Sequence, residues 1–200
     1  MIRGIIFDFG RVISAQKPPS LFHKYEQELG LRKDSINSIM FECSEWQDAL
    51  RGQKSLDEYW KIIGPRLGLG NGEHMERFRR RYDQDEKLNP DVMKLLKRAR
   101  GRYKLSICSN SPPGLHRWLK DWNLEPFFEV VFCSGEEGIV KPERAAYEIT
   151  LARMELEPHE AVFVDDTREN VKGASDCGLH AIHFTNGSAL ERELSVIAGL

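Results

Sequence analysis

The chain has 200 residues, 40% hydrophobic and 30% charged, enough for one sizeable core or a core with a small accessory domain. A formal net charge of -2 and a sequence pI of about 6.3 leave no global basic field for nucleic acid or an anionic membrane. No apolar run approaches the ~20 residues of a membrane-spanning helix.

The opening MIRGIIFDFG breaks its apolar stretch at Asp8, too early for a cleavable signal, and a cytoplasmic location is expected. Cys43, Cys108, Cys133 and Cys177 form no CxxC pair and read as reduced thiols.

In chain order, the first predicted element is a strand over Gly4–Phe7, ended by Asp8. No convincing strand follows between Gln16 and Lys87. LFHKYEQELG, SINSIMFECS, SLDEYWKIIGPRLG and EHMERFRRRYDQ instead space apolar residues three and four apart, as amphipathic helices do. Pro18-Pro19 marks where this stretch begins and Asn89-Pro90 where the chain returns. Four more strands are expected over Lys104–Cys108, Val130–Cys133, Ala161–Val164 and His180–Phe184. Short unbroken apolar runs of this kind suit a sheet covered on both faces. Between them, helices are expected over Pro112–Trp122, Pro142–Met154 and Arg168–Cys177, the last stopped by Gly178. Alternating strands and helices imply right-handed crossovers and a parallel sheet. The expected fold class is α/β: a parallel sheet of about five strands, helices on both faces, and a helical insertion after the first strand.

In open α/β sheets, ligands gather at the carboxyl ends of the strands, where strand order reverses. The first predicted strand ends at Asp8, the second at Ser109-Asn110 and the fourth at Asp165-Asp166, and Lys141 lies just beyond the third. This set suits a phosphoryl group. A carboxylate can attack phosphorus and carry it as an aspartyl phosphate. Mg²⁺ suits an all-oxygen site of carboxylates and water. A hydroxyl, backbone N–H groups and a lysine can hold the non-bridging oxygens. Taken singly, each residue also fits a blander role. Asp8 could be a turn former, Ser109-Asn110 a cap before Pro112 and Lys141 a solvated surface lysine. Falling in this order at successive strand ends, they point to a site.

The motifs FDFGRV, ICSNS, GIVKPE and VFVDDTRENVKGASDCGLHAI resemble, in order, the four motifs of the haloacid dehalogenase (HAD) superfamily of hydrolases. The likeness covers almost the whole chain. It implies a Rossmann-like core over 1–15 and 88–200 with an inserted helical cap over 16–87. It also implies catalytic roles for Asp8 as nucleophile, Lys141 as charge neutraliser and Asp165 as support reaching the metal through water. By the same resemblance, Asp8, the Gly10 carbonyl and Asp166 would bind Mg²⁺. Ser109, the Asn110 backbone N–H and Lys141 would hold the substrate phosphate. Arg11 is a further candidate for phosphate, and Asn170 would orient Lys141 or the acidic pair.

The departure from the pattern is Gly10. Most phosphatases of the superfamily carry a second Asp there as general acid, and such help is worth about 10²–10⁴ in rate. Its absence would slow the enzyme or restrict it to substrates with good leaving groups, while the resemblance to the FDxG-type phosphatase subgroup supports activity. The expected activity is hydrolysis of a small phosphorylated metabolite, a sugar phosphate being one option, by a monomer or homodimer. Two alternatives remain open: a HAD-fold binding or regulatory protein, and a metal-free dehalogenase using Asp8 on carbon. In the cap, Trp46, Arg51 and Lys54 are candidates to face substrate. Trp46, Tyr59 and Trp60 also suit the cap's own core. The run ERFRRRYDQDEK spreads its charges around a helix axis, as a solvated face does.

Overall fold

The computed structural model describes residues 1–70 and 72–200. Its centre is a five-stranded sheet in the order β3-β2-β1-β4-β5: β1 Gly4–Phe7, β2 Lys104–Ser109, β3 Val130–Cys133, β4 Ala161–Asp165 and β5 His180–His183. All four pairings are parallel. The chain runs outward from β1 through β2 to β3, then returns past β1 to β4 and β5, so strand order reverses between β1 and β4.

Side chains alternate across the strands. Ile5, Phe7, Val162 and Val164 enter one apolar cluster, with Val92, Leu95, Leu96 and Ala99 of α6 (Pro90–Ala99) and Leu190 and Leu194 of α11 (Gly187–Ala198). Ile6, Ala161 and Phe163 enter another on the opposite face, with Ala146, Tyr147 and Leu151 of α9 (Arg144–Met154) and Ala174 of α10 (Arg168–Asp176). Burial on both faces explains the unbroken apolar strands. Asn89 starts α6: its side chain accepts from the Asp91 and Val92 N–H groups, and Pro90 sets the first turn.

Residues between β1 and α6 form five helices: α1 Pro19–Leu29, α2 Ile36–Phe41, α3 Ser44–Leu50, α4 Leu56–Arg66 and α5 Glu73–Gln84. They enclose their own cluster, which includes Tyr25, Ile36, Met40, Tyr59, Trp60 and Phe78. Trp46 packs on Phe41 and Tyr59 at ring separations of 5.2 and 5.3 Å. Buried Glu26 accepts the backbone N–H groups of Asp34, Ser35 and Ile36, shaping the approach to α2. The chain leaves and re-enters the core side by side. Ser14 bridges Leu88 in antiparallel fashion, and the Asn89 N–H donates to the Ile13 carbonyl at 2.9 Å. Beside this junction, buried Lys17 pairs with Glu86 and lies over the Tyr82 ring.

Several boundaries differ from expectation. The helix after β2 is α7, Leu115–Asp121. It starts late because Pro113 pushes Pro112 out of the helical region and Gly114 is left-handed. The helix expected from Pro142 begins at Arg144. The stretch SINSIMFECS gives only α2, ending at Phe41; extended Cys43 separates it from α3. Strands β2 and β4 each run one residue further, taking in Ser109 and Asp165, and β5 stops at His183. Among the described residues, four α-helices lie outside the expected set: α3, α6, α8 (Ser134–Glu137) and α11. Among the described residues, no helix is long and apolar enough to cross a membrane.

Candidate active site

Phe7 is in register with both Ile107 and Val164. Asp8 therefore lies level with Asp165 and one step short of Ser109. The Asp8 N–H donates to the Val164 carbonyl at 2.8 Å, carrying the strand pairing to the carboxylate itself. Asp8, Ser109, Lys141, Asp165 and Asn170 are all buried. The site thus sits at the β1/β4 reversal, where two crossovers leave in opposite directions and open a crevice.

Lys141 comes from the loop between α8 and α9. The Asn110 amide clamps its backbone, accepting from the Lys141 N–H at 2.8 Å and donating to its carbonyl at 2.9 Å. So held, the Lys141 ammonium lies 2.9 Å from Asp8 Oδ1 and 2.6 Å from Asp165 Oδ2. Asp165 is further bound by the Thr167 N–H at 2.8 Å and by Asn170 Nδ2 at 3.2 and 3.1 Å. Both of its oxygens are thereby committed to protein donors. Asn170 is itself fixed, since its carbonyl accepts the Tyr147 hydroxyl at 2.8 Å.

Burial pushes the Asp8 carboxyl up to about 6, against the pull of Lys141. Burial also works against the Lys141 ammonium, but attraction to Asp8 and Asp165 outweighs it and holds the group above the ordinary lysine range. The two directions are compatible because one lysine serves two carboxylates. Asp166 is raised as well, chiefly by burial, with Arg11 opposing.

Asp8, Asp165 and Asp166 bring carboxylate oxygens within 4.8 Å of one another. Three anions this close need more positive charge than one lysine supplies. An all-oxygen set fits a hard divalent cation such as Mg²⁺. With Asp165 committed, Asp8 and Asp166 are the carboxylates able to ligate one directly.

The structure brings Asp8, Asn110, Lys141, Asp165, Asp166 and Asn170 together and ends β2 at Ser109, with one difference of detail. Arg11, expected at the phosphate, instead pairs through Nε with Asp166 Oδ2 at 2.9 Å. The Asn110 side chain is spent on Lys141, so only its backbone N–H is left for a ligand. In the insertion, Trp46 belongs to the internal cluster, Arg51 pairs with Glu143 at 2.6 Å and Lys54 with Asp48 at 2.9 Å. Arg79 and Arg81 of the charged run pair with Asp57 and Glu28. Sequence reading missed His183, whose Nε2 lies 3.0 Å from the Asp166 carbonyl. The sequence places His183 in the last strand, and the structure puts it in register with Asp165.

A family model for haloacid dehalogenase-like hydrolases matches residues 3–178. The chain belongs to this family. The sesquiterpene phosphatase of Aspergillus oryzae is 29% identical to this HAD protein over 204 residues, spanning 98% of this chain and 97% of the relative. The D-ribitol-5-phosphate phosphatase of Bacteroides thetaiotaomicron is 25% identical over 210 residues, spanning 98% of each. A HAD family enzyme of Bacteroides thetaiotaomicron, solved in complex with magnesium and inorganic phosphate, matches with a TM-score of 0.76 at 18% identity. That match covers 94% of this chain and 96% of the other and speaks for the fold alone.

Proposed function

We propose that this HAD hydrolase is a Mg²⁺-dependent phosphatase of small phosphorylated metabolites, working through a phosphorylated Asp8. The observation that carries the reading is the buried Asp8–Lys141–Asp165 triad with Asp166 alongside, at the β1/β4 reversal. The two full-length relatives described above, both phosphatases, support it.

Asp8 Oδ1 accepts from Lys141 and keeps a second lone pair for the ion, and Oδ2 is free to attack phosphorus in line. The Ser109 hydroxyl and the Asn110 N–H hold non-bridging oxygens. Lys141 keeps the nucleophile ionised and offsets charge gathering on the phosphoryl group. Asp8, the Gly10 carbonyl and Asp166 are the residues that would hold Mg²⁺. When bound, the ion supplies charge neutralisation between carboxylate and phosphate. Asn170 and Thr167 hold Asp165, and Asp165 holds Lys141.

Gly10 offers no proton to the leaving oxygen. Its substrates are therefore those whose leaving groups depart readily, such as glycosyl or acyl phosphates, in preference to simple alkyl esters. Residues 16–87 act as a cap on the core of 1–15 and 88–200, hinged where Ser14 meets Leu88, and exclude water when closed.

The test is phosphate release from a panel of phosphorylated metabolites and p-nitrophenyl phosphate, with Mg²⁺ and with chelator. Metal-dependent release that vanishes in Asp8→Asn is expected. No release from any compound by a protein that still binds Mg²⁺ would favour a binding or regulatory role, the reading that Gly10 motivates.

A further inference from the structure

Residues 10 and 11 stand the wrong way round for the backbone. Gly10 has φ -66° and ψ 128°, an extended conformation open to any residue, and a Cβ there would meet no atom within 4 Å. Arg11 has φ 60° and ψ 4°, the left-handed region that disfavours any side chain with a Cβ. Backbone preference alone would put the glycine at 11 and leave 10 to any residue. The arginine is therefore held where conformation argues against it, and what it offers in return is its guanidinium.

That guanidinium makes one ion pair. Arg11 Nε lies 2.9 Å from Asp166 Oδ2, with the arginine side chain 58% exposed and the aspartate 16% exposed. The arginine reaches in from solvent, and the aspartate belongs to the buried cluster. Asp8 and Asp165 share Lys141, which is buried and anchored by Asn110. Asp166 has Arg11, the only one of the two cations with room to swing. A divalent cation among the three carboxylates needs Asp166, and its charge repels a guanidinium on the same group. With Arg11 on Oδ2, the ion and the guanidinium compete for the charge of Asp166.

We propose that Arg11 alternates between Asp166 and the substrate anion. Without metal it neutralises Asp166. Metal binding displaces it, and the freed guanidinium, next to the open space at Gly10, takes an oxygen of the phosphoryl group or of the leaving group. The inference rests on the reading of Asp8 and Asp166 as metal ligands. It makes Arg11 a brake on metal binding and an aid to anion binding, so removing its charge shifts the two affinities in opposite directions.

The test is isothermal titration of the full chain at fixed ionic strength. Mg²⁺ is titrated first, then inorganic phosphate at saturating Mg²⁺. Arg11→Gly suits the left-handed backbone and should fold, which a thermal melt checks; Arg11→Gln removes the charge and keeps the strain. In both, Mg²⁺ binding is expected to tighten about two- to tenfold and phosphate binding to weaken about tenfold or more. Arg11→Lys should lie between these variants and the wild type. Shifts of the same sign for the two ligands, or unchanged Mg²⁺ affinity in both charge-removing variants, would overturn the proposal alone. Absence of Mg²⁺ binding to the wild-type chain would overturn the metal-site reading, and this inference with it.

Discussion

Replacing the nucleophile should stabilise the metal-free protein while abolishing turnover. The folded Asp8 carboxyl is raised from 3.8 to about 6 by burial, and Asp165 and Asp166 add repulsion. The sign follows from proton counting. Between pH 4 and 6 the folded state binds more protons at this group than the unfolded state, so stability falls as pH rises through that window and levels off above it. Raising the carboxyl from 3.8 to about 6 corresponds to roughly 3 kcal/mol. Asp8→Asn removes the charge and keeps the shape. In chelator at pH 7 it should recover an appreciable part of that amount, up to about 6–12 °C in Tm for a chain of this size. The part recovered is limited because Lys141 loses one of its two partners. The assay is thermal unfolding of wild type and variant in chelator from pH 4 to 8. The wild-type curve should decline toward pH 6, and the variant should lie above it and be flatter. A variant less stable than wild type at pH 7, with the same slope below pH 6, would refute the reasoning, because Asp8 would then be a net stabiliser through Lys141.

Two further predictions concern glycines. Gly10→Asp fits the backbone and the open space and should restore a general acid, raising kcat/KM on simple alkyl phosphates by about 10² or more with little change on acyl phosphates. A folded, Mg²⁺-binding variant with no gain on alkyl esters would show that another group already supplies the proton. Gly52 has φ 68°, and a Cβ there would run into the carbonyl oxygen of Gly135 in α8. Gly52→Ala should loosen the seat of the insertion on the core, at a cost of about 1–3 kcal/mol. Faster proteolysis between α3 and α4 should report the loosening, and unchanged proteolysis and Tm would place this contact outside the forces that dock the insertion.

Much of the fold is legible locally. A strand buried on both faces reads as a near-continuous apolar run, as β1 and β4 do; β2 interrupts its run with buried Ser106, and the edge strand β5 is only partly buried. The first polar residue after such a run marks its carboxyl end, which is why Asp8, Asp165 and Ser109 with Asn110 stand out in the sequence alone. Helices of the insertion are legible from apolar spacing. The break at Cys43 and the start of α3 beyond it are not, because one extended residue leaves the apolar spacing on either side intact. Helix α11 falls outside the expected elements although GSALERELSVIA carries its apolar residues at helical spacing. It lies beyond the last motif, where no site residue calls for an element.

By itself, the sequence determined which residues end which strands, because local hydrophobic pattern and chain order are written in it directly. Only the tertiary structure decided how those ends are joined. The Asn110 clamp on Lys141 spans 31 residues, the reach of Lys141 to Asp8 spans 133, and the Arg51 pair with Glu143 spans 92. Each depends on the strand order β3-β2-β1-β4-β5 and on how the insertion seats on the core, which follow from packing the whole chain. The conformations of Gly10 and Arg11 belong to the same class. A dihedral angle at a strand end is set by what the chain must reach next, here the Ser14 hydroxyl that accepts the Arg11 N–H and the carboxylate of Asp166.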